Sequence, residues 1–579
     1  VLLTLPVALA VVLAVFPLHN DDAGFHIASG RWILATGHVP ATNPFTYAHD
    51  GATWVQHQWL PAVAIAWLVD HGGIPLLIGV KAALVGLAFA LMALSLARTR
   101  LPTAASVLLL TVAVTACAFR FYERPYLTSI LALAGTILAL QAWQSTQSRT
   151  ARNLAIALPV LAIHLHAGGL DSVLVWLAFT AGHLLQPVVR PEEVVPRRAV
   201  ALACLTMLGL LVATLALLAP SGLGVLTLPF SFAGNAYWHE HLAEFRPLAL
   251  SASLQWPLVA VAAVGLLVAV GQRRVFETLA LLGYLALALR HVRMVWPMAV
   301  VAVPLAGAML ARVWPERLRS RPVAALLLAV ALLIGQRGVV DQDELFGLGL
   351  PADGIDHLRH PLELLDRAAA LPEHAFVSDG FAGTWLWREF QPPDPRHPEG
   401  QHAVLVHNCL ECYQEATYRD VYQRIRYGQA GWRELVARYG IRTFLLKYST
   451  PGERAFQQGL PNIRQQLYAD AAYVLVDFDD AASLFTARAT LPTGTPVLDG
   501  FPLDPDTGRE RPGATEAAIR EALLEHAHRH PRGIRALDML TRRELARGHR
   551  PEAMAALAEM VRRQPSSPAT RGLLERVRR

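Results

Sequence analysis

Charge is scarce in this sequence: only 17% of its 579 residues are Asp, Glu, Lys or Arg, while 54% are hydrophobic. Soluble domains run nearer about 25% charged and about 45–50% apolar, so a single soluble globule of this length is excluded. Cysteine is scarce too, with four residues in the chain. Cys117 and Cys204 lie in apolar runs, which leaves no disulfide framework. The pair Cys409 and Cys412 has the spacing of a redox or metal site but no second CxxC and no following histidine for haem; a local disulfide is compatible with it. Residues 1–18 lack a basic n-region and a clear cleavage site, so they read as a first span, with a cleaved leader as the alternative. The formal charge of +6 comes mainly from arginines in short loops and in the tail. No basic stripe is interleaved with aromatics, and nucleic acid is rejected as a partner.

What is abundant is long apolar runs, and they are not evenly spread. Up to residue 337 such runs alternate with short polar loops, and from 338 onward the chain reads like a soluble protein. The expected fold class is a multi-span α-helical membrane domain over 1–337, a small α/β soluble domain over 338–490, a linker over 491–514 and a short α-helical tail over 515–579. Spans are expected near 1–18, 75–97, 102–119, 127–144, 153–167, 170–188, 199–219, 254–270, 276–290, 294–312 and 321–337, about eleven in all. The stretch at 59–73 reads as a short interfacial helix. With the N-terminus inside, the loops bearing Arg98 and Arg100, Arg149 and Arg152, Arg197 and Arg198, Arg273 and Arg274, and Arg317 and Arg319 all face the cytoplasm, as the positive-inside rule requires.

That assignment puts the other loops outside: residues 19–58, "FRFYERPY", "HLHAGGLD", "NAYWHEHLAEFRPL" and "RHVRM". Each carries His, Asp, Glu or Arg at span ends, where charge is costly unless paired or hydrated, and the concentration on one side points to a shared polar cavity. The plain alternative for any one of these residues is an interfacial anchor.

In the soluble half, "HAFVSD", "HAVLVHN", "IRTFLLKY" and "YVLVDFDDAASLFTAR" read as strands between amphipathic helices. No glycine-rich phosphate loop, nucleophile elbow or metal triad is apparent there. In the tail, Gly548, Ala553, Leu557 and Pro565 fall where a tetratricopeptide-like helical hairpin places small and punctuating residues, and Pro531 precedes Pro565 by about one repeat. Fewer than about three repeats seldom stand alone, so the tail either packs on its neighbour or meets a protein partner.

The first loop, "DDAGFHIASGRWILATGHVPATNPFTY" followed by "WVQHQWL", together with "RPY", "HLHAGG", "EHLAEFRPL" and "RHVR", resembles the GT-C superfamily of integral-membrane glycosyltransferases. The match falls at Asp22, His26, Gly30, Gly37, Pro40, the run Asn43-Pro44-Phe45-Thr46-Tyr47, Trp54 and His57, and extends over roughly residues 1–310. Gly24 departs from it, standing where an aromatic is usual, and the two acids are adjacent instead of separated by one residue.

The resemblance implies a transferase using a polyprenyl-phosphate-linked sugar donor at the extracytoplasmic face of a bacterial inner membrane, with the C-terminal domain outside. It implies an acid in the first loop that deprotonates the acceptor or helps hold a divalent cation; Asp22 is the first choice and Asp21 the second. Elementary chemistry is compatible, because a partly desolvated carboxylate is poised to take a hydroxyl proton. The alternative is an N-cap, with Asp21 or Asn20 capping a helix that begins near Ala23. Arg124, Arg290 and Arg293 are candidates to hold the donor phosphate, since guanidinium forks suit it, or else lipid-headgroup anchors. His26, His57, His164 and His166 are candidate metal ligands or acceptor contacts, with structural hydrogen bonding as the plainer reading of their spacing. Glu244 is a second candidate acid or a partner for Arg246. Besides membrane lipids and the donor, a protein partner for the tail is expected. The rival functions are a non-catalytic scaffold of envelope or polysaccharide assembly and a transporter of lipid-linked saccharides; few ionisable residues near span centres count against the transporter.

Overall fold

The structure is a computed structural model that describes residues 1–190, 196–371, 374–391, 401–448, 462–565 and 567–578. It comprises two compact units, one of residues 1–18 and 55–354, the other of residues 19–54 and 355–579.

In the first unit a helix occurs at each of the eleven apolar stretches. Among the described residues, seven helices are long and apolar enough to cross a membrane by length and composition: Trp59–Ala97, Thr103–Arg120, Tyr126–Thr146, Ala167–Val189, Arg197–Leu218, Val292–Val313 and Arg321–Phe346. The other four positions carry the helices Thr4–Leu13, Arg149–Leu165, Trp256–Gly271 and Val275–Arg290. These are shorter than the ~20 residues of a perpendicular crossing. The first of the long helices is broken at Gly73, whose φ of 67° is left-handed, two residues before Pro75. Glycine accepts that conformation and proline cannot donate to the preceding turn. The sequence divides at the same place, between 59–73 and 75–97.

Small residues let these helices approach. A Cβ on Gly265 would stand 2.5 Å from the Ala306 Cβ, and one on Gly182 2.6 Å from the Phe276 backbone. Close approach of this kind replaces the hydrophobic effect as the packing force where the surroundings are lipid. Phe89, Phe121 and Tyr126 surround the buried Trp296. Within the core lies an ion pair that the sequence analysis did not anticipate: Lys81 Nζ is 2.5 Å from Glu123 Oε1 and 3.5 Å above the Phe16 ring, with both side chains at 1% exposure or less.

The second unit is built on a four-stranded sheet, with strands β1 (Ala375–Val377), β2 (Thr443–Lys447), β3 (Tyr473–Phe478) and β4 (Ala482–Ala487) in the order β1-β2-β4-β3. The β1–β2 pair is parallel; β2–β4 and the β3–β4 hairpin are antiparallel. Two strand expectations need correction. "YVLVDFDDAASLFTAR" is not one strand but the whole hairpin, turned at Asp479 through its Oδ1 bonds to the amides of Ala481 and Ala482. "HAVLVHN" is not a strand either; it contributes one bridge, Thr46 to Val404. That bridge explains the Asn-Pro-Phe-Thr-Tyr run of the first loop. The Val404 amide donates to the Phe45 carbonyl, the Tyr47 amide donates to the Val404 carbonyl, the Thr46 hydroxyl reaches Leu405 and the Tyr47 hydroxyl reaches the β1 backbone at Ala375.

The first loop also supplies the helix Asp22–Thr36, which crosses the helix Asp379–Glu389 at a glycine pair. A Cβ on Gly24 would lie 2.3 Å from the Gly383 carbonyl oxygen, and one on Gly383 2.0 Å from the Asp21 carbonyl oxygen. The departure at Gly24 thus has a physical reason: two backbones touch there, and a larger residue has no room. Gly24→Ala is expected to destabilise this unit by about 1–3 kcal/mol, as overpacking of a close-packed contact does, read as a lowered Tm with unchanged helix content by circular dichroism. The tail is helical as expected, with helices Glu516–Arg529, Arg535–Ala546, Arg550–Arg563 and Pro568–Arg578. It is pinned to the sheet where Asp480 accepts from the amides of Ile534 and Arg535.

Candidate functional site

The two adjacent acids of the first loop have different surroundings. Asp21 is buried, and its carboxylate is filled by donors: Gly383 N at 2.7 Å, Thr384 N at 2.8 Å, Thr384 Oγ1 at 2.7 Å and Asn408 Nδ2 at 3.0 Å. Its side chain makes no cap bond to its own helix, which starts at Asp22, so the N-cap alternative fails for it. Asn20 instead places Oδ1 3.4 Å from the Asp22 amide. Burial pushes the Asp21 carboxyl up to about 6, against the bonds from Thr384 and Gly383 that favour the charged form.

Asp22 is half-buried at the first turn of the helix, and its Oδ1 accepts from the same Asn408 amide at 2.9 Å. Asn408 therefore fixes the spacing of both carboxylates. Beside it His407 is buried between Phe25, at a ring distance of 4.6 Å, and Asn43, and desolvation lowers it to about 3, so it is neutral. His26 is buried in the helix Asp22–Thr36. Cys409 and Cys412 follow directly, with sulfurs 2.6 Å apart; burial raises both thiols, Cys412 to about 12.

In the first unit, Glu244 is encircled by guanidinium groups. Arg293 Nη1 lies 3.2 Å from Oε1, and Arg120 Nη1 and Arg124 Nη1 lie 3.4 and 3.5 Å from Oε2. Burial alone would raise Glu244, but Arg293, Arg120 and Arg124 outweigh it and hold the carboxyl at about 2. The loop is fastened to the segment 291–292: His291 Nδ1 is 2.8 Å from the Phe245 carbonyl and the Val292 amide donates to the Arg246 carbonyl. Arg293 stacks 4.8 Å above the Phe245 ring, and Arg120 5.3 Å above Tyr126. Arg246 is not the partner of Glu244; its Nη2 turns to the Glu240 carbonyl. Arg290 stands exposed at the end of its helix, outside this cluster. His57 and His166 meet edge to face at 5.0 Å, with His57 Nδ1 accepting from the Ala167 amide and His166 Nδ1 from the Gly168 amide. Those bonds put the ring proton of each neutral histidine on Nε2.

The structure thus gathers Asp21 and Asp22 about Asn408, gathers Arg124, Arg293 and Glu244 with Arg120, pairs His57 with His166, and leaves Arg290 out of the arginine cluster. Sequence reasoning passed over Arg120, four residues before Arg124 in "FRFYERPY", and Asn408, Thr384 and Gly383, more than 350 residues from the acids they hold. For Arg120 a signal was present in the density of arginine in one short loop. For the others none was.

Among known proteins, no family model and no curated protein matches the sequence. Solved structures do. An oligosaccharyltransferase AglB from Archaeoglobus fulgidus, in complex with an inhibitory peptide and a dolichol-phosphate, superposes with a TM-score of 0.52 at 11% identity, covering 85% of this chain and 74% of that one. An Archaeoglobus fulgidus oligosaccharyltransferase tethered with an acceptor peptide gives 0.50 at 11% identity, over 86% of this chain and 75% of that one. ArnT from Cupriavidus metallidurans gives 0.48 at 14% identity, over 85% and 99%. The chain has the GT-C fold, and it is a multi-pass membrane protein.

Proposed function

We propose that this GT-C chain is a glycosyltransferase that moves a sugar from a polyprenyl-phosphate-linked donor to an acceptor at the extracytoplasmic face of a bacterial inner membrane. The observation that carries the reading is the cluster of Arg120, Arg124 and Arg293 about Glu244. Three guanidiniums and one carboxylate carry a surplus of two positive charges, and forks of this kind bind phosphate through paired, charge-assisted hydrogen bonds. The AglB complex with dolichol-phosphate supports a lipid phosphate as the anion.

In the reaction so read, the acceptor oxygen attacks the anomeric carbon and the bond from that carbon to the phosphate oxygen breaks. The electron pair leaves with the phosphate, whose growing charge the arginines stabilise more than they stabilise the donor. Asp22 takes the acceptor proton. Asp21 is a positioning residue: it ties the first turn of the helix to Gly383 and Thr384 and, through Asn408, sets the carboxylate beside it.

A divalent cation in the first loop would meet a poor donor set. Both oxygens of Asp21 are taken by amide and hydroxyl donors, and Asp22 Oδ1 accepts from Asn408.

The test is sugar transfer by the full chain in lipid nanodiscs from labelled polyprenyl-phosphate donors. Arg293→Gln and Arg124→Gln are each expected to raise KM for the donor or lower kcat/KM by about 10–100-fold, the worth of a charged hydrogen bond of about 1.5–3 kcal/mol. Parental kcat/KM in both variants removes the phosphate role, and no transfer from any donor removes the activity.

A further inference from the structure

Strand β3 is irregular at one point: its register with β4 shifts between Leu475 and Asp477. Bulges of this kind re-aim a side chain and are common beside functional groups. Here the re-aimed carboxylate is Asp477, fully buried, and two imidazoles converge on it from the C-terminal end of the helix Glu516–Arg529. His526 Nε2 is 3.3 Å and His530 Nε2 3.1 Å from the same oxygen, Oδ1. His526 is buried and the His530 side chain is 12% exposed. The i, i+4 spacing puts both rings on one helix face, where they stack at 4.4 Å, and His526 lies flat on Phe478 at 3.7 Å.

As a hydrogen-bond hub this arrangement is overfull. Oδ1 also accepts from the Phe478 amide at 2.9 Å, so three donors crowd an oxygen with two lone pairs. His530 would have to be doubly protonated, because its Nδ1 faces the Glu363 carboxylate at 3.2 Å while Nε2 faces Asp477. A metal ion removes both difficulties.

We propose that Asp477, His526 and His530 form a zinc(II) site that fastens the tail to the sheet. Tetrahedral zinc with ligands at about 2.0–2.1 Å separates its donor atoms by roughly 3.3 Å, the spacing seen between Oδ1 and each Nε2. The surrounding groups match what such a site needs. His530 coordinates through Nε2 and donates its Nδ1 proton to Glu363, the carboxylate–histidine–metal arrangement that fixes the tautomer. Arg367 pairs with the other oxygen of Asp477 and keeps the carboxylate monodentate. The cation sits at the negative end of the helix dipole. With three protein ligands, the fourth position belongs to water.

The test uses the full-length protein purified in detergent without chelators. Parent protein is expected to carry roughly one zinc per chain that Asp22→Asn retains and His526→Gln and His530→Gln lose. Chelation is expected to lower the parental Tm and to leave that of His526→Gln unchanged. Because either glutamine variant risks misfolding, a third measurement uses cobalt(II). Chelated parent refilled with cobalt is expected to show the intense visible bands of a tetrahedral centre, and His530→Cys to add a sulfur-to-cobalt charge-transfer band in the near ultraviolet. Parent protein without stoichiometric zinc or a tetrahedral cobalt spectrum overturns the site, as does a His530→Cys spectrum identical to that of the parent.

Discussion

Asp22→Asn is expected to lower kcat for sugar transfer by about 10²–10⁴-fold, the usual worth of a general base, with the parental Tm retained. The amide keeps an oxygen for the Asn408 donor at 2.9 Å, and the side chain is half-buried at a helix start. Asp21→Asn is expected to act chiefly on stability, with a smaller loss of kcat through the displaced Asn408. Whichever way the amide is turned, its NH₂ confronts two donors, either Gly383 N with Asn408 Nδ2 or Thr384 N with Thr384 Oγ1. Stranding them costs about 1–3 kcal/mol each. A Tm drop in Asp21→Asn with a loss of kcat per folded molecule well short of that in Asp22→Asn, set against an unchanged Tm and a large loss of kcat in Asp22→Asn, separates the two acids. Equal transfer rates in parent and Asp22→Asn would eliminate the base.

The pH dependence of that Tm difference has a fixed sign. Asp21 titrates at about 6 in the folded protein against 3.8 for an ordinary aspartate, so the folded state holds its proton more tightly than the unfolded chain. Its stabilising contribution is complete below pH 3.8 and is lost as pH rises through about 6; at most this amounts to about 3 kcal/mol. Asparagine does not titrate. The margin by which the parent exceeds Asp21→Asn in Tm is therefore expected to shrink between acid and neutral pH, and growth of the margin would contradict the assignment.

Much of the fold was legible because its signals are local. Hydropathy located helices at all eleven stretches, and the Gly-Gly-Ile-Pro segment at 72–75 announces the break in Trp59–Ala97 through two residues whose backbone rules are nearly independent of context. The helix Thr4–Leu13, only part of the run read as a span over 1–18, shows the limit of that reasoning, since composition does not report how many residues stay helical. The strand reading failed where alternation was weakest: Val404 to Val406 are all buried, yet this segment spends its hydrogen bonds on the first loop and never enters the sheet. At the acids, sequence ranked Asp22 above Asp21 without a physical means of separating neighbours. What separates them is a set of donors contributed by residues 383, 384 and 408, and no local pattern encodes such a pairing. His526, His530 and Asp477 escaped notice for the same reason, although the i, i+4 histidine spacing was in view.

The buried pair Lys81–Glu123 carries the largest expected loss of stability in the membrane unit. Lys81 is one of two lysines in the chain, set in an otherwise apolar run, and its partner belongs to the loop that also supplies Arg120 and Arg124. Two charges out of water cost several kcal/mol each, offset by their mutual attraction at 2.5 Å and by the Phe16 ring beneath the ammonium. Removing one partner leaves the other buried and uncompensated. Lys81→Met and Glu123→Gln are each expected to destabilise the unit by about 3–5 kcal/mol, whereas the double variant, with no stranded charge, recovers most of that loss. Thermal unfolding of the four proteins in one detergent measures the cycle. Additive losses in the double variant would show that the two residues act independently. Coupling of the expected sign would mean that the loop carrying the arginines is anchored to the helix bundle by charge, so that Glu123→Gln also weakens donor binding although Glu123 itself lies buried in the helix bundle.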